Sequence, residues 1–534
     1  MVKKTAIKML AQLQDVAPTR LAMLVLGGLV ASLFIYALLV SFYRLTFHPL
    51  ASYPGPFLAK ITDWHQVYNA YHGNRHLSLY LMHEKYGPFV RYGPNSLSTN
   101  TATALHSIYG FHSPVQKGKF YTAFPANKHA YNTHSSIDKA QHARKRRVLS
   151  HAFSDGAVKA MERYILQNVR AFTEGLGASS ATVGQERKGW GLGQNMADWC
   201  NYLTFDVMGD LCFGKAFGML EKEDNRFAIE LIGNAAHRHL ICGAMPLLHE
   251  YHLDHVLFPH LAAGRARYMA YSKSQSVERM KNPDVDRKDF FYYLLKAKDP
   301  ETGAGFALPE LWGESNLLII AGSDTTSTAL AAAFFYLVHN PAALQTVQAE
   351  VRKAFSDEEE IVAGATLNSC TYLRAVLDES MRLSPPVGGI LPREVLGRGI
   401  DIDGHHIPAG VDVGTSHYAV HHNPAYYPSP FTFKPERWIA SGDVTAEDVT
   451  NAKSAFCAFS VGPRACIGRA LAYTELMIAL GRVVWAFEMR VAGGPRVGEG
   501  GRGMGEGRER QAEYQLRDSF TSLKDGPMVE FRRR

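Results

Sequence analysis

The chain has 534 residues, 46% hydrophobic and 20% charged, about three and a half times a 150-residue domain with the composition of a globular protein, which excludes disorder and collagen. Its six cysteines (Cys200, Cys212, Cys242, Cys370, Cys457 and Cys466) show no CxxC pair and no regular spacing, which excludes a disulfide scaffold or zinc ribbon and suits a reducing compartment. The net charge of +7 is thinly spread, with +3 in residues 1–20, so nothing points to a nucleic-acid partner.

Residues 1–20 form a tail in which Val2–Val16 can make a short interfacial helix with Ala6, Leu10, Leu13 and Val16 on one side. From Leu21 to Tyr43 run 23 residues without a charge. As a helix they span roughly 35 Å, enough for a bilayer core, and predict one retained transmembrane anchor over 21–43. A cleaved signal peptide fits less well, because the apolar run is too long for an h-region and a proline cluster follows it. A buried core helix would keep a polar stripe, and only scattered serines stand here. The tail carries four Lys/Arg against two in the flank to Lys60, so charge bias puts the tail in the cytosol. The absence of any Asn-x-Ser/Thr sequon and the unpatterned cysteines put the soluble body there instead. The proline-rich stretch within 44–56, His48 to Pro56, reads as a stiff hinge.

Long helical patterns dominate from Ser135 to about Leu383, with stops at Asn340-Pro341 and Ser384-Pro385-Pro386; short β-like runs, Ile400–Ile407 and Met528–Phe531, fall near the C-terminal half. The chain therefore reads as mainly α with small β-sheets and no internal repeat. His142 and Arg146 stand at i,i+4 on one face of a basic helix. Leu311–His339 reads as one helix whose apolar run Leu317–Ala321 breaks at Gly322-Ser323-Asp324-Thr325-Thr326. There Gly322 permits close approach of a ligand, and a threonine hydroxyl can take a backbone hydrogen bond and open a kink. His417, His421 and His422 include an i,i+4 pair suggestive of zinc, but no acidic base lies between them and the flanking prolines argue against a helix. His405 and His406 would point to opposite faces of a strand. Gly493–Gly507 holds eight glycines in 15 residues and reads as a flexible surface loop.

The most informative stretch is Phe459-Ser460-Val461-Gly462-Pro463-Arg464-Ala465-Cys466-Ile467-Gly468, followed by a helical run from Arg469. A cysteine that holds haem iron as thiolate needs backbone N–H groups aimed at sulfur, a tight glycine turn, and a following helix N-terminus that favours negative charge. Gly462 and Gly468 supply the turn, Phe459 would shield the sulfur, and Arg464 would pair with a haem propionate. Cys457 lacks every flanking feature. Phe-x-x-Gly-x-Arg-x-Cys-x-Gly arises by chance in roughly one chain in several thousand of this length and composition.

This loop resembles the haem-binding signature of the cytochrome P-450 monooxygenases. Three further elements in the family's order carry the resemblance: Ala321 to Thr326, Glu379-Ser380-Met381-Arg382, and Pro435-Glu436-Arg437-Trp438, with Trp in place of the family's Phe. The likeness runs from Tyr53 to Phe531 and implies the cytochrome P-450 fold over 57–534 with haem (heme b) ligated by Cys466. It further implies Asp324 and Thr325 as the acid–alcohol pair that relays protons in dioxygen activation, and His142, Arg146 and Arg393 as propionate ligands beside Arg464. Glu379 and Arg382, at i,i+3, would form with Arg437 a buried Arg–Glu–Arg set that holds the haem loop. Arg144, Lys145 and Arg147 are expected to face outward, where a positive surface could steer an acidic reductase.

No glycine-rich flavin or nicotinamide fingerprint follows a strand, so electrons would come from NADPH through a separate NADPH-cytochrome P-450 reductase, with O2 as co-substrate. Phe120–His134 and Cys200–Leu220 resemble filamentous-fungal members including benzoate para-hydroxylases, whereas Asp518–Phe531 looks more like fungal secondary-metabolite oxidases. The expected substrate is a hydrophobic polyketide or other aromatic intermediate, and the expected location the endoplasmic reticulum membrane, single-pass, with a cytosolic catalytic domain. A benzoate-type hydroxylase, a phenol-coupling oxidase that inserts no oxygen, and a non-catalytic haem carrier are the alternatives.

Overall fold

The computed structural model describes residues 18–125, 131–181, 189–281 and 287–534. The Val2–Val16 helix lies outside them, as does the centre of the Phe120–His134 segment. Beyond an N-terminal helix α1 (Pro18–Thr46), six helices contribute to the wall of the central cavity: α2 (Lys139–Ser150), α3 (Met196–Phe213), α4 (Phe227–Ala244), α5 (Leu308–His339), α6 (Thr371–Leu383) and α7 (Arg469–Ala486). Residues 20–46 of α1 are long and apolar enough to cross a membrane, and none of that window is buried against the body. The 44–56 stretch is tied to the body: Leu50 is fully buried, and the Arg91 guanidinium donates to the carbonyls of Arg44 at 2.7 Å and Leu50 at 3.3 Å. α5 is equally long but mostly buried, packed on α3 and α6 as the central core helix. α5 and α6 end at His339 and Leu383, where the following prolines cannot continue a helix.

The largest sheet has strands β1 (Phe89–Gly93), β2 (Ser96–Thr99), β3 (Val115–Lys117), β4 (Arg393–Val395) and β5 (Asp412–Thr415) in the order β1-β2-β5-β4-β3. Only β2 and β5 run parallel. Three of its strands come from the first quarter of the chain, where the sequence suggested none. They are short, and β1 and β2 are buried on both faces, so they carry no alternating pattern. Ile400–Ile407 is a hairpin rather than one strand, turned at Asp403 (φ 48°) and Gly404 (φ 81°). Near the C-terminus, β6 (Leu516–Ser519) and β7 (Thr521–Lys524) form a hairpin against α5, and Met528–Arg533 pairs with Phe487–Val491. Gly493–Gly507 is a loop without helix or strand, closed by a bond from Gly501 N–H to the Arg508 carbonyl at 2.9 Å.

Two expectations are corrected. Despite the prolines, His417–His421 is a short helix, capped by Ser416, and its histidines are buried on protein partners: His421 Nε2 accepts the Cys457 N–H at 3.0 Å, and His417 Nδ1 bonds the Val387 carbonyl at 3.0 Å. On the basic helix α2, the three cations expected to face outward are instead met by carboxylates. Lys145 is buried and paired with Glu310 at 2.7 Å, Arg144 also pairs with Glu310, and Arg147 pairs with Asp299 at 2.7 Å and Glu301 at 2.8 Å. The carboxylates that turn Lys145 inward come from the start of α5, far away in sequence.

Candidate active site

The cysteine loop is shaped by close backbone packing. At Gly462 φ is +70°, and a Cβ there would lie 2.0 Å from the Tyr109 carbonyl oxygen, so no other residue fits. The turn closes through Ala465 N–H to the Gly462 carbonyl at 3.0 Å and Cys466 N–H to the Phe459 carbonyl at 2.8 Å. Cys466 is the one cysteine with accessible surface, and that surface faces an internal cavity of about 310 Å3, enclosed by protein and within the range of ligand sites. Burial pushes its thiol up, while the Gly468 N–H, Arg146 and Arg469 pull it back toward the thiolate. α7 begins three residues beyond the sulfur with Gly468 as its N-cap, adding the positive end of a helix. Phe459 lines the cavity beside Cys466 and packs on Tyr473 at 5.0 Å.

Cations gather on the same cavity. Arg146 Nη1 donates to the Ala465 carbonyl at 2.6 Å, and Arg464 donates to the carbonyls of Ser136 at 2.5 Å and Ile137 at 2.9 Å. Arg393 on β4 bonds the Tyr121 hydroxyl at 3.1 Å, and its partner across the β3–β4 pair is Lys117. His142, one turn before Arg146, is buried in the same wall. Among the described residues, none of Lys117, Arg146, Arg393 and Arg464 has a carboxylate within ion-pair distance. Like charges facing each other across a strand pair are unfavourable unless an anion joins them. Burial and its cationic neighbours push Arg464 down to about 10 and His142 down to about 3. One carboxylate, Glu475, lines this wall, and burial pushes it up to about 8. A cavity with a cysteine sulfur and four cations lacking counter-charge suits a planar dianionic iron cofactor, which haem is. Lys117 was not foreseen, because nothing local distinguishes it from a surface strand lysine.

On α5 the expected interruption is chemical rather than helical. The helix is continuous, with the Thr325 hydroxyl donating to the Ala321 carbonyl at 2.6 Å. A Cβ on Gly322 would meet Met208 Sδ at 2.5 Å, so α3 comes close at this point. Gly322, Thr325 and Thr326 line the cavity, and Asp324 does not. Its carboxylate turns to the opposite face, where Oδ1 lies 3.9 Å from the Lys524 ammonium of β7 and Oδ2 has no hydrogen-bond partner. Lys524 also donates to Asn201 Oδ1 and Ser327 Oγ, both at 2.8 Å. The acid and the alcohol are thus adjacent in sequence but face different surroundings, and Lys524 joins the set unforeseen.

Behind the cysteine loop, Glu379 is fully buried and receives five donors. Oε1 accepts from Arg382 Nη2 and Arg437 Nε at 2.9 Å and from Lys434 N–H at 3.0 Å; Oε2 accepts from Arg382 Nε at 2.9 Å and Trp438 Nε1 at 3.0 Å. The indole, standing where a phenylalanine was expected, therefore adds a donor. The guanidiniums in turn bond the carbonyls of His421, Pro430, Thr432 and Pro428, fixing the irregular segment that leads toward the cysteine loop.

Known proteins agree with this geometry. The sequence model of the family described as Cytochrome P450 matches residues 53–497. The cytochrome P450 monooxygenase AKT7 of Alternaria alternata is 40% identical, covering 99% of this chain and 100% of its own. The cytochrome P450 monooxygenase apf7 of Gibberella fujikuroi is 42% identical over 94% of this chain and 97% of its own. The crystal structure of the cytochrome P450DA heme domain superimposes with a TM-score of 0.70 over 90% of this chain and 98% of that one, at 20% identity, which speaks to the fold. Matched by family, by near-full-length relatives and by fold, the chain belongs to the cytochrome P450 family of haem-thiolate monooxygenases.

Proposed function

We propose that this protein oxidises a hydrophobic aromatic or polyketide-derived intermediate of fungal secondary metabolism, with O2 and with electrons that a separate reductase draws from NADPH. The observation that carries the reading is the one cavity onto which Cys466, Thr325, four cations without a carboxylate partner among the described residues, and a set of aromatic side chains open together. Bound haem supplies dioxygen activation and oxygen insertion. Cys466 would hold the iron, with Gly468 N–H and the start of α7 favouring the thiolate. Arg146, Arg393, Arg464, His142 and Lys117 would orient the macrocycle through its propionates. Thr325, whose hydroxyl proton goes to the Ala321 carbonyl, presents its oxygen to the cavity as an acceptor, and Asp324, held near Lys524, would pass protons toward it from the neighbouring face of α5. Tyr121, Phe124 and Phe520, packed on one another, give the substrate end an aromatic lining.

The exposed α1 supports membrane anchorage, and we assign it to the endoplasmic reticulum membrane with the catalytic body in the cytosol, next to the reductase. The test is reconstitution of the full chain with an NADPH-cytochrome P450 reductase and candidate aromatic intermediates. A product one oxygen heavier, formed only with NADPH, is expected. A dimer short of two hydrogens would move the reading to phenol coupling, and haem binding without turnover on any such compound would reduce it to a carrier.

A further inference from the structure

We infer that His239 on α4 determines specificity by presenting its Nδ1–H to an acceptor oxygen, such as a carbonyl, on an aromatic substrate. The inference rests on the aromatic-substrate reading and adds to it the functional group recognised. His239 lines the cavity together with Ala236, three residues earlier on the same helical face. Its Nε2 accepts a hydrogen bond from Arg265 Nε at 3.1 Å, and Arg265 Nη2 is itself held by the Pro125 carbonyl at 2.7 Å. A guanidinium can only donate, so Nε2 carries the lone pair and the single imidazole proton sits on Nδ1. Nδ1 has no partner among the described residues, and the side chain lines the cavity, so this N–H is left for a ligand there.

The surroundings make this donor selective. The imidazole stacks on Phe124 at 4.9 Å with planes 26° apart, and Phe124 meets Phe520 edge-on at 4.8 Å. A planar ring placed against these side chains meets two imidazoles, His239 and His134, the latter packed on Phe124 at 5.3 Å and on Phe520 at 5.4 Å. Burial, and then Arg265, Arg238 and His249, hold the imidazole well below its ordinary range, so it stays neutral and keeps this tautomer. A neutral N–H in an apolar wall is left unpaired by a hydrocarbon and satisfied by a ketone of the same shape.

The test uses the full-length holoenzyme with two probes of one shape, 9-fluorenone and fluorene, measured by equilibrium dialysis. The wild type should bind the ketone about 2- to 12-fold more tightly, the worth of one neutral hydrogen bond. His239→Phe, which keeps a flat ring but loses the N–H, should equalise the two by weakening the ketone alone. Arg265→Met frees the imidazole to carry its proton on either nitrogen and should give an intermediate ratio. If His239→Phe binds both probes with the wild-type ratio, the inference is overturned while the aromatic-substrate reading stands. If the wild type binds neither probe, that reading falls and the inference falls with it. Should His239→Phe fail to incorporate haem, the Arg265→Met ratio decides: a reduced preference supports the inference and an unchanged one overturns it.

Discussion

Replacing Glu379 by Gln should destabilise the whole haem-binding half of the molecule, and the structure sets the size of the effect. The carboxylate sits at 0% exposure between two guanidiniums, an indole N–H and a backbone N–H, and every one of these partners donates. Burial alone would raise its pKa, but Arg382 and Arg437 outweigh it and hold the carboxyl below its usual range. A glutamine keeps the shape but turns an NH2 against donors and leaves two buried cations without a counter-charge. Removing one partner of such a buried set costs about 3–5 kcal/mol, a large share of the ~5–15 kcal/mol that typically holds a protein folded. Trp438→Phe, which deletes one of the five donors and leaves Arg382 Nε on the same oxygen, should cost about 1.5–3 kcal/mol. Urea unfolding at pH 7, followed by tryptophan emission and the haem Soret band, measures both. Because the folded pKa is depressed, the contribution is complete above the unfolded pKa near 4.5 and fades as pH falls through the folded value, so the gap between Glu379→Gln and wild type should narrow in acid. A Glu379→Gln protein within about 1 kcal/mol of wild type at pH 7 would refute the reasoning and transfer the loop's anchorage to the backbone carbonyls around Pro430 and Thr432.

Cys466→Ala should abolish the long-wavelength carbon-monoxide difference band of thiolate-ligated ferrous haem, since Cys457, the nearest alternative in sequence, is buried against His421 and does not line the cavity that Cys466 faces; retention of that band would remove Cys466 as ligand. Asp324→Asn should leave haem content and substrate binding intact while turnover falls roughly 10²–10⁴-fold and NADPH is diverted to peroxide. Lys524→Met should lower turnover in the same direction, and wild-type coupling in both variants would sink the proton-relay role. Glu475, raised to about 8 by burial, is folded in its neutral form, so the stability it contributes is complete below pH 4.5 and is lost as pH rises through about 8. Glu475→Gln should therefore match wild type in thermal melts near pH 5 and exceed it near pH 8, and identical pH profiles would show that this carboxyl finds a partner after all.

How far the sequence reaches depends on how local the cause is. The cysteine loop was legible because its shape is dictated within ten residues, by a glycine that must take positive φ and a helix that starts just beyond the sulfur. The helix ends at His339 and Leu383 were legible for the same reason, since proline acts on its immediate neighbours. The buried Arg–Glu–Arg set was reached through resemblance, because Glu-x-x-Arg alone is an everyday surface pair. What escaped is what distant segments assemble. Lys145 reads as a solvated residue on a basic helix until Glu310 and Glu314 arrive from α5. Lys117 reads as a strand lysine until β4 sets Arg393 opposite it, and Lys524 as a hairpin lysine until the hairpin docks on α5. In each case the side chain's role is fixed by its partner, and the partner is chosen by tertiary packing rather than by spacing.

That cavity wall also links folding to cofactor capture. Lys117, Arg146, Arg393 and Arg464 converge on one wall with carbonyls and hydroxyls as their acceptors, and burial together with Arg393 and Arg464 pushes Lys117 well below its ordinary range, the mark of a like-charge conflict in the protein alone. A bound dianion relieves that conflict only in the folded state, where β3, β4, α2 and the cysteine loop bring the cations together. Affinity for such a ligand adds to the stability of the fold by mass action, because the unfolded chain cannot present the same wall. On the proposed function, the sheet that the sequence left unassigned would be part of the cofactor site: it supplies the Lys117–Arg393 pair, and an anionic cofactor would resolve the energetic conflict within that pair.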